Sequence, residues 1–169
     1  MKLGTDFSGI GSPEMALKYL GINFESIFAC EIDKYARQSF VQLHKPKKFY
    51  NDITTRNHKE VEQLDLYIAG FPCQAFSMAG KRLGFEEARG TLFFNVAEFI
   101  KINQPKVFIL ENVKGLLSHN FGKTFQTIID ILINGGGTIN SQISFDMFDD
   151  GLGYHIYYKV LNTKDFGIP

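Results

Sequence analysis

Phe7-Ser8-Gly9-Ile10-Gly11-Ser12-Pro13-Glu14, read together with Ile27-Phe28-Ala29-Cys30-Glu31, is the stretch that decides the fold. Two spaced glycines make a tight turn, and the apolar positions after it, Met15, Ala16, Tyr19 and Leu20, recur at helical spacing. The run therefore predicts a strand, a glycine turn and a helix. Ser12 suits the helix cap, Pro13 its first position, where no N–H donor is missed, and Glu14 the positive end of the dipole, while Gly21 closes the element. Residues 27–31 predict a second, buried strand. Asp33 then caps a helix through Val41, with Tyr35, Ala36, Phe40 and Leu43 as its apolar positions. The result is a β-α-β unit.

The same alternation continues outward. Lys48 to Tyr50 predicts a short third strand ending at Asn51-Asp52-Ile53-Thr54, and residues 56–63 are too polar for pattern to decide. Leu64 to Ala69 predicts a fourth strand that stops at Gly70-Phe71-Pro72-Cys73, since proline cannot continue a central ladder. The loop 70–90, with Gly80, Gly84 and Gly90, suits a mobile segment over a site. Thr91 caps a helix to about Asn103, which Pro105 ends. Lys106 to Leu110 predicts a buried strand that delivers Glu111-Asn112-Val113, and Phe121 to Ile133 a further helix. Residues 134–153, with Gly135-Gly136-Gly137 and Asp149-Asp150, read as a loop or insertion, and Tyr154 to Leu161 as the last strand. The fold class is α/β: one domain over residues 1–169, with a doubly wound, mostly parallel sheet and helices on both faces.

Composition narrows the class. A chain of 169 residues, 44% apolar, makes one domain with a sizeable core. Eighteen basic residues balance eighteen acidic ones, so no long-range positive field advertises nucleic acid. Cys30 and Cys73 have no second cysteine or histidine at metal-ligand spacing, which argues against structural zinc and against disulfides and for a reducing, cytoplasmic compartment. No apolar run is long enough for a signal peptide or a membrane span. A soluble protein is expected.

In such a sheet, ligands bind beyond the carboxyl ends of the strands. Residues 7–11, Glu31, Asp52, Cys73 and Glu111 all fall at predicted strand ends. Gly9-x-Gly11 alone is only a tight turn, but Glu31 about 20 residues on is placed to bind ribose hydroxyls, which points to a nucleoside-bearing cofactor. Glu14 occupies the third glycine position of the dinucleotide fingerprint, so a pyrophosphate would meet a carboxylate there and an adenosyl ligand without phosphates fits better. Asp52 can accept from an adenine amine, although capping a turn is its commoner fate. Cys30, in mid-strand, reads as an ordinary buried thiol. Cys73, after Pro72, is exposed and suits a nucleophile, with Lys81, Arg82 and Arg89 as possible sources of positive charge. Glu111, at the end of a buried strand facing a cleft, can hold a proton and act as an acid.

Gly70-Phe71-Pro72-Cys73-Gln74-Ala75-Phe76-Ser77, Arg89-Gly90-Thr91-Leu92-Phe93-Phe94 and Glu111-Asn112-Val113 closely resemble the cytosine-5 DNA methyltransferases of bacterial restriction-modification systems. The resemblance extends through Asp6 to Gly11, Glu31-Ile32-Asp33, Asn51-Asp52-Ile53 and Leu161 to Pro169. It implies a Rossmann-like fold that binds S-adenosylmethionine, leaves S-adenosylhomocysteine as product and acts on double-stranded DNA. By matched position, Phe7, Ser8, Gly9, Gly11, Glu31, Ile32, Asp52, Ile53, Pro72 and Leu92 would line the cofactor pocket, with Phe7 and Ile32 against adenine and Glu31 on the ribose. Cys73 would add to carbon 6 of a flipped-out cytosine while Glu111 hydrogen-bonds ring nitrogen 3. Gln74 and Ser77 would lie on the loop that closes on DNA, Arg89 beside the base, and Asn112 would hold the loop around Cys73.

Departures from the family pattern shape the rest of the expectation. Thr5 stands where the family usually has an acidic residue, with Asp6 in the next slot, and Ser12 replaces a usual glycine. The chain stops at Pro169, before the family's target-recognition region and its returning final helix. The resemblance therefore implies a catalytic lobe, weak or inactive alone, that relies on a C-terminal segment or second subunit for DNA grip. A bacterial or phage-encoded cytoplasmic protein is expected. Two other readings are a cofactor-binding partner that never catalyses, and a nicotinamide oxidoreductase, which Glu14 disfavours.

Overall fold

The computed structural model describes residues 1–72, 92–139, 143–146 and 151–167. Five strands, β1 (Lys2–Asp6), β2 (Glu25–Cys30), β3 (Lys48–Tyr50), β4 (Leu66–Ala69) and β5 (Val107–Leu110), form one sheet in the order β3-β2-β1-β4-β5. Every neighbouring pair is parallel. The order reverses between β1 and β4, which makes the carboxyl ends of those two strands the switch point. The chain divides into two compact units, Met1–Asn112 and Val113–Pro169, and the sheet belongs to the first.

Strand alternation assigns the helices to faces. Thr5 of β1 points to one face and bonds Glu14 of α1 (Ser12–Tyr19). Asp6, its neighbour, points to the other and bonds Tyr67, whose ring lies 4.7 Å from that of Phe99 on α3 (Leu92–Asn103). Helix α2 (Lys34–Leu43) shares the α1 face, where Lys18 donates to the Leu43 carbonyl at 3.0 Å. Phe28, Tyr67 and Phe99 form the aromatic centre of the α3 side. Gly4 makes that packing possible, because a Cβ there would sit 2.4 Å from the Phe28 ring.

Local chemistry explains most boundaries. Asp33 caps α2 through Oδ1, which accepts from Tyr35 N at 3.0 Å and Ala36 N at 2.7 Å. Gly21, in the left-handed region, closes the end of α1. Ser12 is not the cap of α1, contrary to expectation. Gly11 occupies that position at φ 91°, and Ser12 is the first helical residue. Tyr35 and Leu43 also leave the expected core, at 73% and 48% exposed, and Phe40 alone of α2 is buried. The β5 segment was expected to be buried. Val107 and Ile109 are instead 55% and 51% exposed, because β5 is an edge strand among the described residues.

In the second unit, helix α4 (Lys123–Asn134) starts two residues later than the pattern predicts. Asn120, Phe121 and Gly122 are all left-handed, which an α-helix cannot accommodate. Its buried positions, Thr124, Thr127, Ile128, Ile131 and Leu132, form one stripe. Residues 134–153, expected as a loop or insertion, contain an antiparallel hairpin of β6 (Gly136–Ile139) and β7 (Ile143–Asp146). Residues 154–161, expected as the last strand, have no regular structure. Tyrosines and valine favour a strand only where a neighbouring edge completes the ladder, and Tyr157 is 90% exposed. No helix among the described residues is long and apolar enough to cross a membrane.

Candidate functional site

Because the strands are parallel, their carboxyl ends gather the loops 7–11, 31–33, 51–54, 70–72 and 111–112 along one edge. The first loop is tightly built. Phe7 adopts φ 54°, Ser8 N donates to the Cys30 carbonyl at 3.0 Å, and Gly11 N to the Ser8 carbonyl at 2.9 Å. Gly11 cannot carry a side chain. A Cβ there would lie 2.3 Å from Nε2 of His44, the residue just after α2, on top of the left-handed strain.

Glu31 clamps the next loop to the first. Its Oε2 accepts from Gly9 N at 2.9 Å and its Oε1 from Asp33 N at 2.8 Å. Each carboxylate oxygen keeps a lone pair, so the group can still accept two hydroxyls, as a ribose diol requires. Ile32 beside it is 72% exposed, an apolar side chain with no cover of its own. Asp52 caps a turn: Oδ1 accepts from Thr54 N and Thr54 Oγ1, both at 2.8 Å. Its Oδ2 takes no hydrogen bond among the described residues. Ile53 is buried, Phe7 and Leu92 are half-buried, and Ser8 is buried.

At the ends of β4 and β5 the 70–72 segment and Glu111-Asn112 lie against each other. Glu111 N donates to the Ala69 carbonyl at 2.9 Å, and a Cβ on Gly70 would lie 3.2 Å from Glu111 Oε2, so the carboxyl group rests against the start of the 70–72 segment. Asn112 Nδ2 donates to the Phe71 carbonyl at 2.6 Å, and the Phe71 ring packs 5.2 Å from Phe93. Pro72 is exposed. Cys73, Gln74, Ser77 and Arg89, with the rest of residues 73–91 and the expected Thr91 cap, lie outside the described residues. No cluster of metal ligands occurs among the described residues.

The profile of the C-5 cytosine-specific DNA methylases matches residues 2–169, nearly the whole chain. The chain belongs to this family. Among curated methylase relatives, the type II methyltransferase M.NgoBI of Neisseria gonorrhoeae is 44% identical over 163 residues, 96% of this chain and 45% of the relative. M.HaeII of Haemophilus aegyptius is 42% identical with the same coverage. This methylase chain thus spans about half the length of the curated relatives it matches. The solved structures of Spodoptera frugiperda DNMT2 (a mutant; TM-score 0.57, 24% identity, 78% of this chain and 40% of that one) and Schizosaccharomyces pombe Dnmt2 (TM-score 0.55, 21% identity, 81% and 41%) share the fold. That likeness identifies the sheet as the Rossmann-like methyltransferase fold.

Several buried polar groups escaped the sequence reading. Asp6 pairs with Arg56 and Tyr67 beneath the edge. Glu14, expected to meet a phosphate at the helix start, is 0% exposed and turned inward, where Oε1 accepts from Thr5 Oγ1 at 2.8 Å. A phosphate at the loop would not meet it. The alternation of β1 is the signal that would have found both, since Thr5 and Asp6 must face opposite layers.

Burial holds the Glu14 carboxyl above its ordinary 4.5, against the smaller opposite pull of the Thr5 hydrogen bond, and Oε2 has no partner. The folded chain therefore binds this proton more tightly than the unfolded one, and stability is lost as pH rises through the raised value. Glu14→Gln is expected to raise the melting temperature by a few degrees at neutral pH. Below pH 4.5 the difference should vanish. Thermal scans of both proteins across pH check this.

Proposed function

We propose that this methylase chain binds S-adenosylmethionine at the carboxyl edge of the sheet and transfers its methyl group to carbon 5 of cytosine in double-stranded DNA. The observation that carries the reading is that Glu31, Asp52, Pro72 and Glu111 all follow the carboxyl ends of parallel strands, with Cys73 next in sequence after Pro72. The residues present fit the cofactor: Glu31 has lone pairs for a ribose diol, Ile32 and Phe7 offer apolar surface to a purine, and Asp52 Oδ2 is open to an exocyclic amine. When bound, the cofactor supplies an electrophilic methyl group on sulfonium.

Cytosine is too aromatic to attack that methyl unaided, and inside a duplex it is out of reach, so the base must be flipped out. The Cys73 thiolate then adds to carbon 6 and forms a C–S bond, while Glu111 donates at ring nitrogen 3 and the displaced electron pair comes to rest at carbon 5. Carbon 5 takes the methyl group. Loss of its proton to a base and departure of the thiolate from carbon 6 restore the aromatic ring. Asn112, through the Phe71 carbonyl, supports the backbone two residues before the nucleophile. A cytoplasmic setting and a further segment or subunit for DNA recognition complete the proposal.

Transfer of tritiated methyl groups to DNA tests it. Label in 5-methylcytosine is expected from the chain joined to the carboxyl-terminal part of a relative such as M.NgoBI, with little or none from the 169 residues alone. Label in another base, or none from any polypeptide that carries the chain, would sink the proposal and favour a partner that binds cofactor without catalysing.

A further inference from the structure

Arg56 lies three residues beyond Ile53, in a stretch whose pattern decides nothing, yet its guanidinium is wholly buried. It makes a two-pronged contact with Asp6, Nη1 to Oδ1 and Nη2 to Oδ2, each at 2.7 Å, with neither side chain exposed. Tyr67 donates to Asp6 Oδ2 at 2.6 Å, and Arg56 Nε points to His58 Nδ1 at 3.4 Å. The rings of Phe28, Phe99 and Tyr50 enclose the guanidinium at 4.4, 4.6 and 5.3 Å.

A buried ion pair is a poor way to stabilise a core. Desolvation offsets most of its Coulombic gain, and apolar residues of similar volume serve as well or better. What a planar fork supplies is fixed orientation. Here the two partners adjoin two loops of the candidate site. Asp6 is the last residue of β1, immediately before the left-handed Phe7 and the glycine turn. Arg56 ends the turn that Asp52 closes through Thr54 and Thr55.

We infer that the Asp6–Arg56 pair is a positioning device that ties the 7–11 loop to the 52–55 turn, so that the adenine side of the cofactor site is set before ligand arrives. Arg56 is a positioning residue, since its guanidinium is wholly buried and acts through Asp6. The inference rests on the cofactor reading of this edge for its effect on affinity, but not for the coupling of the two loops. A pre-set pocket gains affinity because less ordering remains to be done on binding.

The test uses a variant that keeps the core filled and removes the fork: Asp6→Leu/Arg56→Met/Tyr67→Phe. Its melting temperature is expected within a few degrees of the parent, as for other paired apolar replacements. Hydrogen–deuterium exchange of the free protein should rise about tenfold in both 7–11 and 52–55 while the β4 amides stay protected. Calorimetry with S-adenosylhomocysteine should show affinity reduced about tenfold or more. If the triple variant does not fold, Arg56→Lys, which keeps the charge and loses the fork, carries the same readouts. Unchanged exchange in both loops of a folded variant overturns the inference. Faster exchange with no ligand binding even by the parent would leave the coupling standing and sink the cofactor reading.

Discussion

Changing Cys73 to serine is expected to abolish covalent capture of DNA containing 5-fluorocytosine and to lower methyl transfer by roughly four orders of magnitude in an active polypeptide carrying this chain. Carbon 5 of cytosine is a feeble nucleophile until a thiolate saturates carbon 6. A thiol ionises near pH 8.5, whereas a serine hydroxyl stays protonated, so the variant loses the attacking group while keeping its shape. Fluorine at carbon 5 blocks the proton loss that precedes release, so the parent should remain bonded to its DNA. A denaturing gel distinguishes the two proteins directly. Glu111→Gln should slow the same adduct without abolishing it, because the amide can still donate to nitrogen 3 but cannot transfer a proton as the acid does. An adduct formed equally well by Cys73→Ser would remove Cys73 from the mechanism.

Glu31→Ala is expected to weaken S-adenosylhomocysteine binding by about 100-fold, the loss of two charge-assisted hydrogen bonds of about 1.5 kcal/mol each. A second effect adds to this. The carboxylate also receives Gly9 N and Asp33 N, so its removal releases the glycine turn from the end of β2 as well as the ribose from the site. Glu31→Gln separates the two contributions. The amide retains one acceptor oxygen, so it should hold one of the two backbone N–H groups and recover part of the affinity. Equal affinities in parent and alanine variant would mean that the ribose is not held there.

Most of the fold could be read because its cues are local. Asp33 caps α2 with its own side chain, Gly21 closes α1 in the left-handed region, and three of the five sheet strands carry apolar runs that end at the expected site loops. Ser12 misled because a serine before a helical pattern looks like a cap, whereas the turn needed the left-handed residue that only the glycine at position 11 could provide beside His44. Residues 154–161 misled for the opposite reason: composition favours a strand, but a strand exists only where an edge receives it. The placement of the candidate residues Glu31, Asp52 and Glu111 at strand ends followed from topology, which fixes where every loop of a parallel sheet emerges. The Asp6–Arg56–Tyr67 cluster could not be found that way. Its members are about 50 and 61 residues apart from Asp6, and no period links a buried charge to its partner.

The central claim, that the carboxyl edge around Glu31 is an S-adenosylmethionine site, is tested most directly by calorimetric titration of S-adenosylhomocysteine into the 169-residue chain. One saturable site per chain is expected, abolished or much weakened by Glu31→Ala, with no comparable heat from reduced nicotinamide dinucleotide. Saturable binding of the dinucleotide, or binding of S-adenosylhomocysteine that is indifferent to Glu31, would contradict it.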